Sequence, residues 1–346
     1  MKQVDSDQTS GSSSRIGDLF GLKELGGGGT SGVSSGIRGL SRNQGISMLV
    51  ILGVMWLVLG LLSPYFFTVD NIMEITLQTA VIAIIAAGET FVILSGGIDL
   101  SVGAVFACSA VVGGLVLEST GSLPLALAAT VSFGALLGLT SGLLIAKLYV
   151  PPFIATLGMM GVARGLALIL SSGIPIYGLD EGYKFIGQGK LFDVIPVPTL
   201  IVLVVYILGY ILANRTRFGR FVYAIGSNSE AARLSGINVT RVTIGVYVMG
   251  GFLAGLASII EAGRLGIVQP AGGNGYELLA IGAVVIGGTS LFGGEGSIIA
   301  TLIGAIIVTT IRNGLNIVGV NAFWQYVVNG TVIIAAIAVD QYRRRR

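Results

Sequence analysis

From Ser47 onward the chain is a succession of apolar segments separated by short polar breaks. A helix needs about 20 apolar residues to cross the hydrocarbon core of a bilayer, and most of these segments approach that length. Charged residues make up 11% of the chain and hydrophobic residues 53%, whereas a soluble domain carries roughly a quarter charged residues. The sequence therefore predicts an all-α polytopic membrane protein.

A scan for apolar runs predicts about ten transmembrane helices. The predicted spans are 47–67, 72–94, 101–118, 123–147, 154–172, 197–214, 241–263, 276–291, 297–312 and 322–340. Paired glycines interrupt the pattern, so some segments are expected to be broken or re-entrant. Small residues at helical spacing, namely Gly134, Gly138 and Gly142 on one span and Gly251 and Gly255 on another, predict close approach of helix backbones.

The lysines and arginines predict the orientation. They precede the first span, cluster within 215–241, and close the chain as Arg343, Arg344, Arg345 and Arg346. An even number of spans places all three groups, and hence both termini, in the cytoplasm. Residues 1–45 are rich in Gly and Ser and are predicted to be a disordered cytoplasmic tail. Residues 46–346 are predicted to form the transmembrane domain, with 215–241 as its main cytoplasmic loop.

Ionisable residues at membrane depth are candidates for function. Asp99 lies in "LSGGIDLSVGA", where a glycine pair breaks the helix. Asp99 and Ser101 either belong to a solute path or cap the start of the next helix. A related break, "GGTSLFGG", begins at Gly287 and resembles "GGIDLSVG" at Gly96, as internal repeats of transporters do.

A second polar group follows the seventh span. Glu261 and Arg264 are spaced to pair on one helix face, and Gln269, Asn274, Tyr276 and Glu277 come next. Such groups suit a hydroxylated solute or a partner protein, and they also suit an ordinary loop.

The chain contains no histidine and one cysteine, Cys108. It has no phosphate-binding loop, no nucleophile elbow and no cluster of metal ligands in its sequence. We therefore predict a protein that is not an enzyme and binds no metal or cofactor itself. If ATP drives it, ATP and magnesium are bound by another chain.

The loop 215–241 contains "SNSEAARLSGI", which predicts a short helix outside the membrane. Ser227, Asn228 or Ser229 supplies its N-cap, and Gly236 ends it. Ala231, Ala232 and Leu234 are expected to form a small apolar surface, which either docks into a groove on a partner or only connects two spans.

"EAARLSG" resembles the E-A-A-x-x-x-G loop of bacterial ABC importer permeases. Longer phrases, "GETFVILSGGIDLSVGAV", "VPPFIATLGMMGVARGLAL" and "QPAGGNGYELLAIGAVVIGGTSLFGGEGS", resemble the ribose/monosaccharide type. The resemblance extends from about Ser47 to the end of the chain. It implies that the loop is a coupling helix docking into an ATPase through Glu230, Ala231, Ala232, Arg233, Leu234 and Gly236. The candidates for the translocation path are Asp99, Ser101, Thr156, Glu261, Asn274, Tyr276 and Glu277.

The resemblance implies a permease of the bacterial cytoplasmic membrane that imports a monosaccharide, with ribose leading, by alternating access. The expected partners are a second copy of the chain, a cytoplasmic ABC ATPase, a periplasmic or lipid-anchored sugar-binding protein and membrane lipids, but no nucleic acid. Alternatives are an ABC permease for a nucleoside or branched-chain amino acid, or a secondary transporter coupled to protons or sodium through Asp99, Glu89 or Glu261. A scaffold protein and an enzyme fit the sequence least.

Overall fold

The structure is a computed structural model that describes residues 44–344, and this part of the chain is almost entirely helical. The helices are α1 (Gln44–Leu62), α2 (Val69–Leu94), α3 (Val102–Thr120), α4 (Leu123–Leu148), α5 (Pro152–Leu170), α6 (Glu181–Gln188), α7 (Val197–Arg215), α8 (Arg217–Ser227), α9 (Ser229–Leu234), α10 (Val239–Leu265), α11 (Tyr276–Ile286), α12 (Ile298–Ile317) and α13 (Ala322–Arg344). Two short strands, β1 (Lys190–Leu191) and β2 (Ile195–Pro196), pair antiparallel. The prediction of an all-α polytopic membrane protein is confirmed.

Eight described helices are long and apolar enough to cross a membrane: α1 to α5, α7, α10 and α12. The predicted span 276–291 is wrong as a full span, because α11 has only 11 residues and is about 16 Å long at the usual helical rise. The tenth predicted segment is covered by α13, which has 23 residues. The predicted disordered tail, residues 1–45, lies outside the described residues except for its last two.

Helices α4 and α10 pack against each other more extensively than any other described pair. A Cβ atom at Gly134 would overlap the carbonyl oxygen of Gly251, and a Cβ at Gly251 would overlap that of Gly134. Gly138 meets the carbonyl of Tyr247 in the same way. These glycines let the two backbones touch, as their spacing predicted.

The two glycine breaks lie against each other. The first follows α2 and contains Gly96, and the second follows α11 and contains Gly288; both glycines have positive φ, 83° and 79°. The two breaks have the same pattern of backbone hydrogen bonds. The Gly97 N–H donates to the Val92 carbonyl, and the Thr289 N–H donates to the Val284 carbonyl. Gly96 therefore corresponds to Gly288, one residue later than the sequence match suggested.

The second break returns the chain to the end of the bundle that carries residues 215–241, which we call the loop end. The N–H of Gly294 donates to the carbonyl of Leu94 at 3.0 Å. A Cβ at Gly293 would lie 2.9 Å from the Cα of Gly226, a residue of α8 in the loop. The short helix α11 and its irregular flanks thus replace a full span, and α12 and α13 follow from the loop end.

Candidate functional site

The predicted path residues fall into two separate groups. One group lines a cavity at the end of α10 that is opposite the loop end, and it consists of Glu261, Asn274 and Tyr276. We call this cavity the polar cavity. Asp99 and Ser101 lie in the first glycine break, where the Thr156 hydroxyl donates to the Ile98 carbonyl at 3.3 Å. Sequence reasoning listed these residues together, but they belong to two different places in the bundle.

The polar cavity has a volume of about 290 Å³. It lies among α3, α10, α12 and the segment between α10 and α11, and its polar or aromatic lining includes Phe106, Ser258, Glu261, Asn274, Tyr276 and Arg312. A few polar groups set in an apolar wall are typical of sites for small solutes. Phe106 and Arg312 are lining residues that sequence reasoning missed, because only the fold brings α3 and α12 to this end of α10.

A network of ion pairs borders the polar cavity. Arg264 donates to both oxygens of Glu261 through Nε and Nη2, at 2.9 and 3.1 Å. Its Nη1 donates to Glu74 Oε1 of α2 at 2.8 Å. The predicted pairing of Glu261 with Arg264 is confirmed, and the second carboxylate from α2 was not foreseen. A guanidinium that binds two carboxylates fixes the relative positions of α2 and α10.

Tyr276 connects this network to the aromatic wall. Its hydroxyl donates to Glu261 Oε1 at 3.1 Å, and its ring meets that of Phe106 edge to face, with 5.3 Å between centroids. An aromatic ring with a polar tip offers both an apolar face and a hydrogen bond to a solute. The arrangement presents carboxylate, hydroxyl and aromatic groups on one cavity wall, which are the groups a polyhydroxylated solute can use.

The segment that closes the polar cavity is held from α5. Arg164 Nη1 donates to the carbonyls of Gly272 and Pro270, at 2.7 and 3.3 Å. Glu277 does not line the cavity, and its Oε1 accepts from the Gly275 N–H at 3.2 Å. Glu277 is therefore placed to shape the start of α11, beside Gly103 of α3, where a Cβ would overlap its Oε2.

The first break is organised by two buried carboxylates. Asp99 Oδ1 accepts from the N–H and from the hydroxyl of Ser101, at 2.7 and 2.5 Å. Glu89 Oε1 of α2 accepts from the Asp99 N–H at 3.1 Å. Ser101 occupies the N-cap position of α3, but the expected capping bond from its side chain is absent, because its hydroxyl is bound to Asp99 instead.

The loop 215–241 folds as two helices, α8 and α9. Asn228 caps α9 through its Oδ1, which accepts from the Ala231 N–H at 2.9 Å, and Gly236 ends the turn with φ of 84°. Both features were predicted. The predicted apolar surface is smaller than expected, since Ala232 is buried against the protein, while Leu234 is 76% exposed.

Glu230 and Arg233 pair on the exposed surface of α9. Hydrogen bonds from Arg233, together with its charge, hold the pKa of Glu230 below its usual value. The pair is fully open to solvent, so it contributes little to stability and leaves Leu234 as the main apolar feature of this helix.

Helix α8 connects the loop directly to both breaks. A Cβ at Gly226 would overlap the Leu94 carbonyl of the first break and lie 2.5 Å from the Gly294 nitrogen of the second. We call the contact among Gly96, Gly226 and Gly293 the glycine junction. Helix α8 therefore contacts both breaks directly, because no side chain lies between the three backbones.

A bundle of long apolar helices with two broken segments, a polar cavity at one end and a short exposed helix at the other is the architecture expected of a membrane permease. The chain belongs to the family described as branched-chain amino acid transport system / permease component, whose model matches residues 71–337. The resemblance to ribose-type ABC importer permeases is confirmed by its relatives. No solved structure matches the chain.

Three relatives cover most of the chain. The ribose import permease protein of Escherichia coli strain K12 is 43% identical over 300 residues, which are 86% of this chain and 93% of that protein. The ribose import permease protein of Bacillus subtilis is 46% identical over 291 residues, 83% of this chain and 90% of that protein. The D-allose transport system permease protein of Escherichia coli K12 is 40% identical over 293 residues, 84% and 90% of the two chains.

Proposed function

We propose that this chain is the membrane-spanning subunit of an ATP-driven monosaccharide importer, with ribose as the leading substrate. It does no chemistry on the sugar and relies on a separate ATPase chain that binds ATP and magnesium. The observation that carries the proposal is the exposed helix α9, whose neighbour α8 makes backbone contact with both breaks at Gly226. The ribose and allose permeases among its relatives support the substrate class.

In this proposal the loop end faces the cytoplasm, where α9 docks into the ATPase through Leu234. The polar cavity faces the other side and receives the sugar from a binding protein. Nucleotide binding closes the ATPase and moves α8 and α9 together, and the glycine junction passes this motion to the two breaks. The work comes from the different affinity of ATP and binding protein for the two states of the transporter.

The two chain termini lie in the cytoplasm in this arrangement, and two copies of the chain form the permease of the bacterial cytoplasmic membrane. An alternative substrate is a branched-chain amino acid. It is favoured by the description of the family and by the cavity wall, which carries both Glu261 and Arg312 and so offers opposite charges to a zwitterion.

Uptake of labelled ribose by cells that lack their own ribose permease, but contain this chain together with a ribose-type ATPase and sugar-binding protein, tests the proposal. Ribose should be taken up, and unlabelled leucine should not compete. The Leu234→Asp variant should insert normally and lose uptake, because a charge in the apolar dock is desolvated without a partner.

Leu234→Met is the matched control and should keep most of the uptake. Normal uptake by Leu234→Asp would exclude the docking role of α9. Uptake of labelled leucine without uptake of labelled ribose would replace the sugar by an amino acid.

A further inference from the structure

Glu89 and Asp99 form a pair of carboxylates that the importer scheme does not use. Their side chains are 0% and 2% exposed, and they lie together because the Asp99 N–H donates to Glu89 Oε1. Within residues 44–344 neither carboxylate forms an ion pair. Two neighbouring carboxylates in an apolar interior cannot both remain charged unless a positive charge joins them.

Two further atoms at this place lack partners. Glu89 Oε2 is buried and accepts no hydrogen bond, and the same holds for the hydroxyl of Tyr247 on α10. Tyr247 is 1% exposed, and its hydroxyl lies 2.5 Å from the position that a Cβ of Gly97 would take. Gly97 therefore leaves room for the hydroxyl beside the break, close enough to interact electrostatically with both carboxylates.

Buried polar atoms are usually satisfied, and each unsatisfied oxygen here is an oxygen that a cation or a proton can use. Glu89 Oε2, the Asp99 carboxylate and the Tyr247 hydroxyl approach from α2, the break and α10. Hard cations such as sodium are bound by oxygen ligands of this kind. The two carboxylates alone would only repel each other. The unpartnered Tyr247 hydroxyl beside them is a third oxygen, and together the three indicate a place for a ligand.

We propose that Glu89, Asp99 and Tyr247 form a binding site for one monovalent positive charge, a proton or an alkali cation, beside the first break. The bound charge neutralises the carboxylate pair and keeps the break closed around it. The site does not power transport in this proposal, which distinguishes it from the site of an ion-coupled secondary transporter.

One member of the site lies at a cavity that extends toward the loop end. A cavity of about 380 Å³ extends from Gly96, Gly97 and Tyr247 to Glu230 and Arg233 of α9. Of the three residues of the site, Tyr247 alone lines this cavity, so we place the exchange of an ion or a proton with solvent on the Tyr247 side of the site.

The charged groups on the cavity beside Tyr247 are Glu230 and Arg233 of α9, which pair with each other. Helices α11 and α12 carry Glu277 and Arg312, which belong to the polar cavity or its border. Asp99 is the charged residue in direct contact with Glu89, through its N–H. The Ser101 N–H and hydroxyl are bound to Asp99 Oδ1 and bring no charge.

The test measures thermal unfolding of the purified full chain in detergent, for wild type and Glu89→Gln. Each is measured from pH 6 to pH 9, in sodium, potassium or N-methylglucamine chloride at constant ionic strength. At high pH and without an alkali cation, the unfolding midpoint of wild type should lie below that of Glu89→Gln, because the amide removes one buried charge. We call this difference in midpoint the gap. Glu181→Gln, a change at an exposed carboxylate, is the control and should stay parallel to wild type.

If the site holds an alkali cation, sodium or potassium closes this gap. The midpoint of wild type then rises by roughly 2–4 °C for each tenfold increase in cation concentration above the dissociation constant. If it holds a proton, only acidification closes the gap. The sign follows because a site that takes up a proton in the folded state stabilises that state as pH falls. A gap that stays constant in every salt and at every pH overturns the proposal.

Asp99→Asn serves as a second variant if Glu89→Gln does not fold, since Asn can still accept from Ser101. The difference in unfolding midpoint between wild type and Asp99→Asn should close under the same conditions. These measurements are made on the chain alone, so they do not depend on whether the protein imports a sugar.

Discussion

The two ends of the helix bundle are joined in different ways. At the loop end, the glycine junction brings three backbones into contact, and no side chain separates them. At the other end, the polar cavity is bordered by side chains, with Arg264 binding Glu261 and Glu74. A backbone contact transmits a displacement with little slack, whereas long side chains can change partners when a solute enters. The difference suits a mechanical connection at one end and a binding site at the other.

The largest effect on uptake is expected where the backbone contact is broken. Gly226→Ala places a methyl group on the Leu94 carbonyl, and backbone atoms cannot yield as a flexible side chain does. Overpacking of this kind costs about 1–3 kcal/mol, and the distorted junction should abolish uptake. The measurement is ATP-dependent uptake together with the unfolding midpoint.

Gly158→Ala is the control for this variant, because a Cβ at Gly158 meets nothing within 4 Å. It should transport and unfold like wild type. Wild-type uptake by Gly226→Ala would mean that the junction transmits no motion.

A smaller effect on uptake is expected where the side-chain network is cut, although the loss of stability can be larger. Arg264→Gln leaves Glu261 without its ion-pair partner, and removal of one member of a buried pair costs about 3–5 kcal/mol. Since Glu74 is 42% exposed, solvent will reduce the cost to the lower end or below it. We expect a lower unfolding midpoint with uptake impaired but present. A midpoint equal to wild type would show that the network does not hold α2 and α10 together.

Tyr276→Phe sharpens the comparison further, because it removes one hydroxyl and keeps the ring against Phe106. Loss of a hydrogen bond to a charged group costs about 1.5–3 kcal/mol at most. If the hydroxyl contacts the solute, the apparent KM for uptake should rise several-fold while the maximal rate changes little. An unchanged KM would remove Tyr276 from the binding site.

The smallest effect is expected at the exposed pair of α9. Glu230→Gln removes the carboxylate whose pKa is lowered by Arg233. The stability that this pair contributes exists above the unfolded pKa of Glu230 and is lost as pH falls through the lower folded pKa, so it is complete at neutral pH. Because both groups are open to solvent, the unfolding midpoint at pH 7 should match wild type. A clear drop would indicate a structural role that the exposed geometry does not provide.

Much of the fold follows from local pattern. The long apolar segments predicted the main spans, the glycine spacing predicted the contact between α4 and α10, and Asn228 and Gly236 marked the limits of α9. The error at 276–291 has a clear cause. Hydropathy continues past Ile286, but Gly287 and Gly288 end the helix through backbone conformation, which an apolar window does not record.

The candidate site was less predictable. Glu261 with Arg264, and Asn274 with Tyr276, lie near each other in sequence and were found. Glu74, Phe106 and Arg312 come from distant segments, and Gly226 has no sequence signal that marks it apart from the many other glycines. Glu89 was noted as a charge within a span, but its partnership with Tyr247 depends on how α2 and α10 cross.

The sequence by itself determined that the chain lies in a membrane, where most of its long helices run and which short helix projects from them. These properties depend on residues within one segment and on the cost of placing polar groups in lipid. Only the tertiary structure decided that α8 contacts both breaks, that the path candidates separate into two places, and that Glu89, Asp99 and Tyr247 meet. These properties depend on contacts between segments far apart in the chain, which no local pattern encodes.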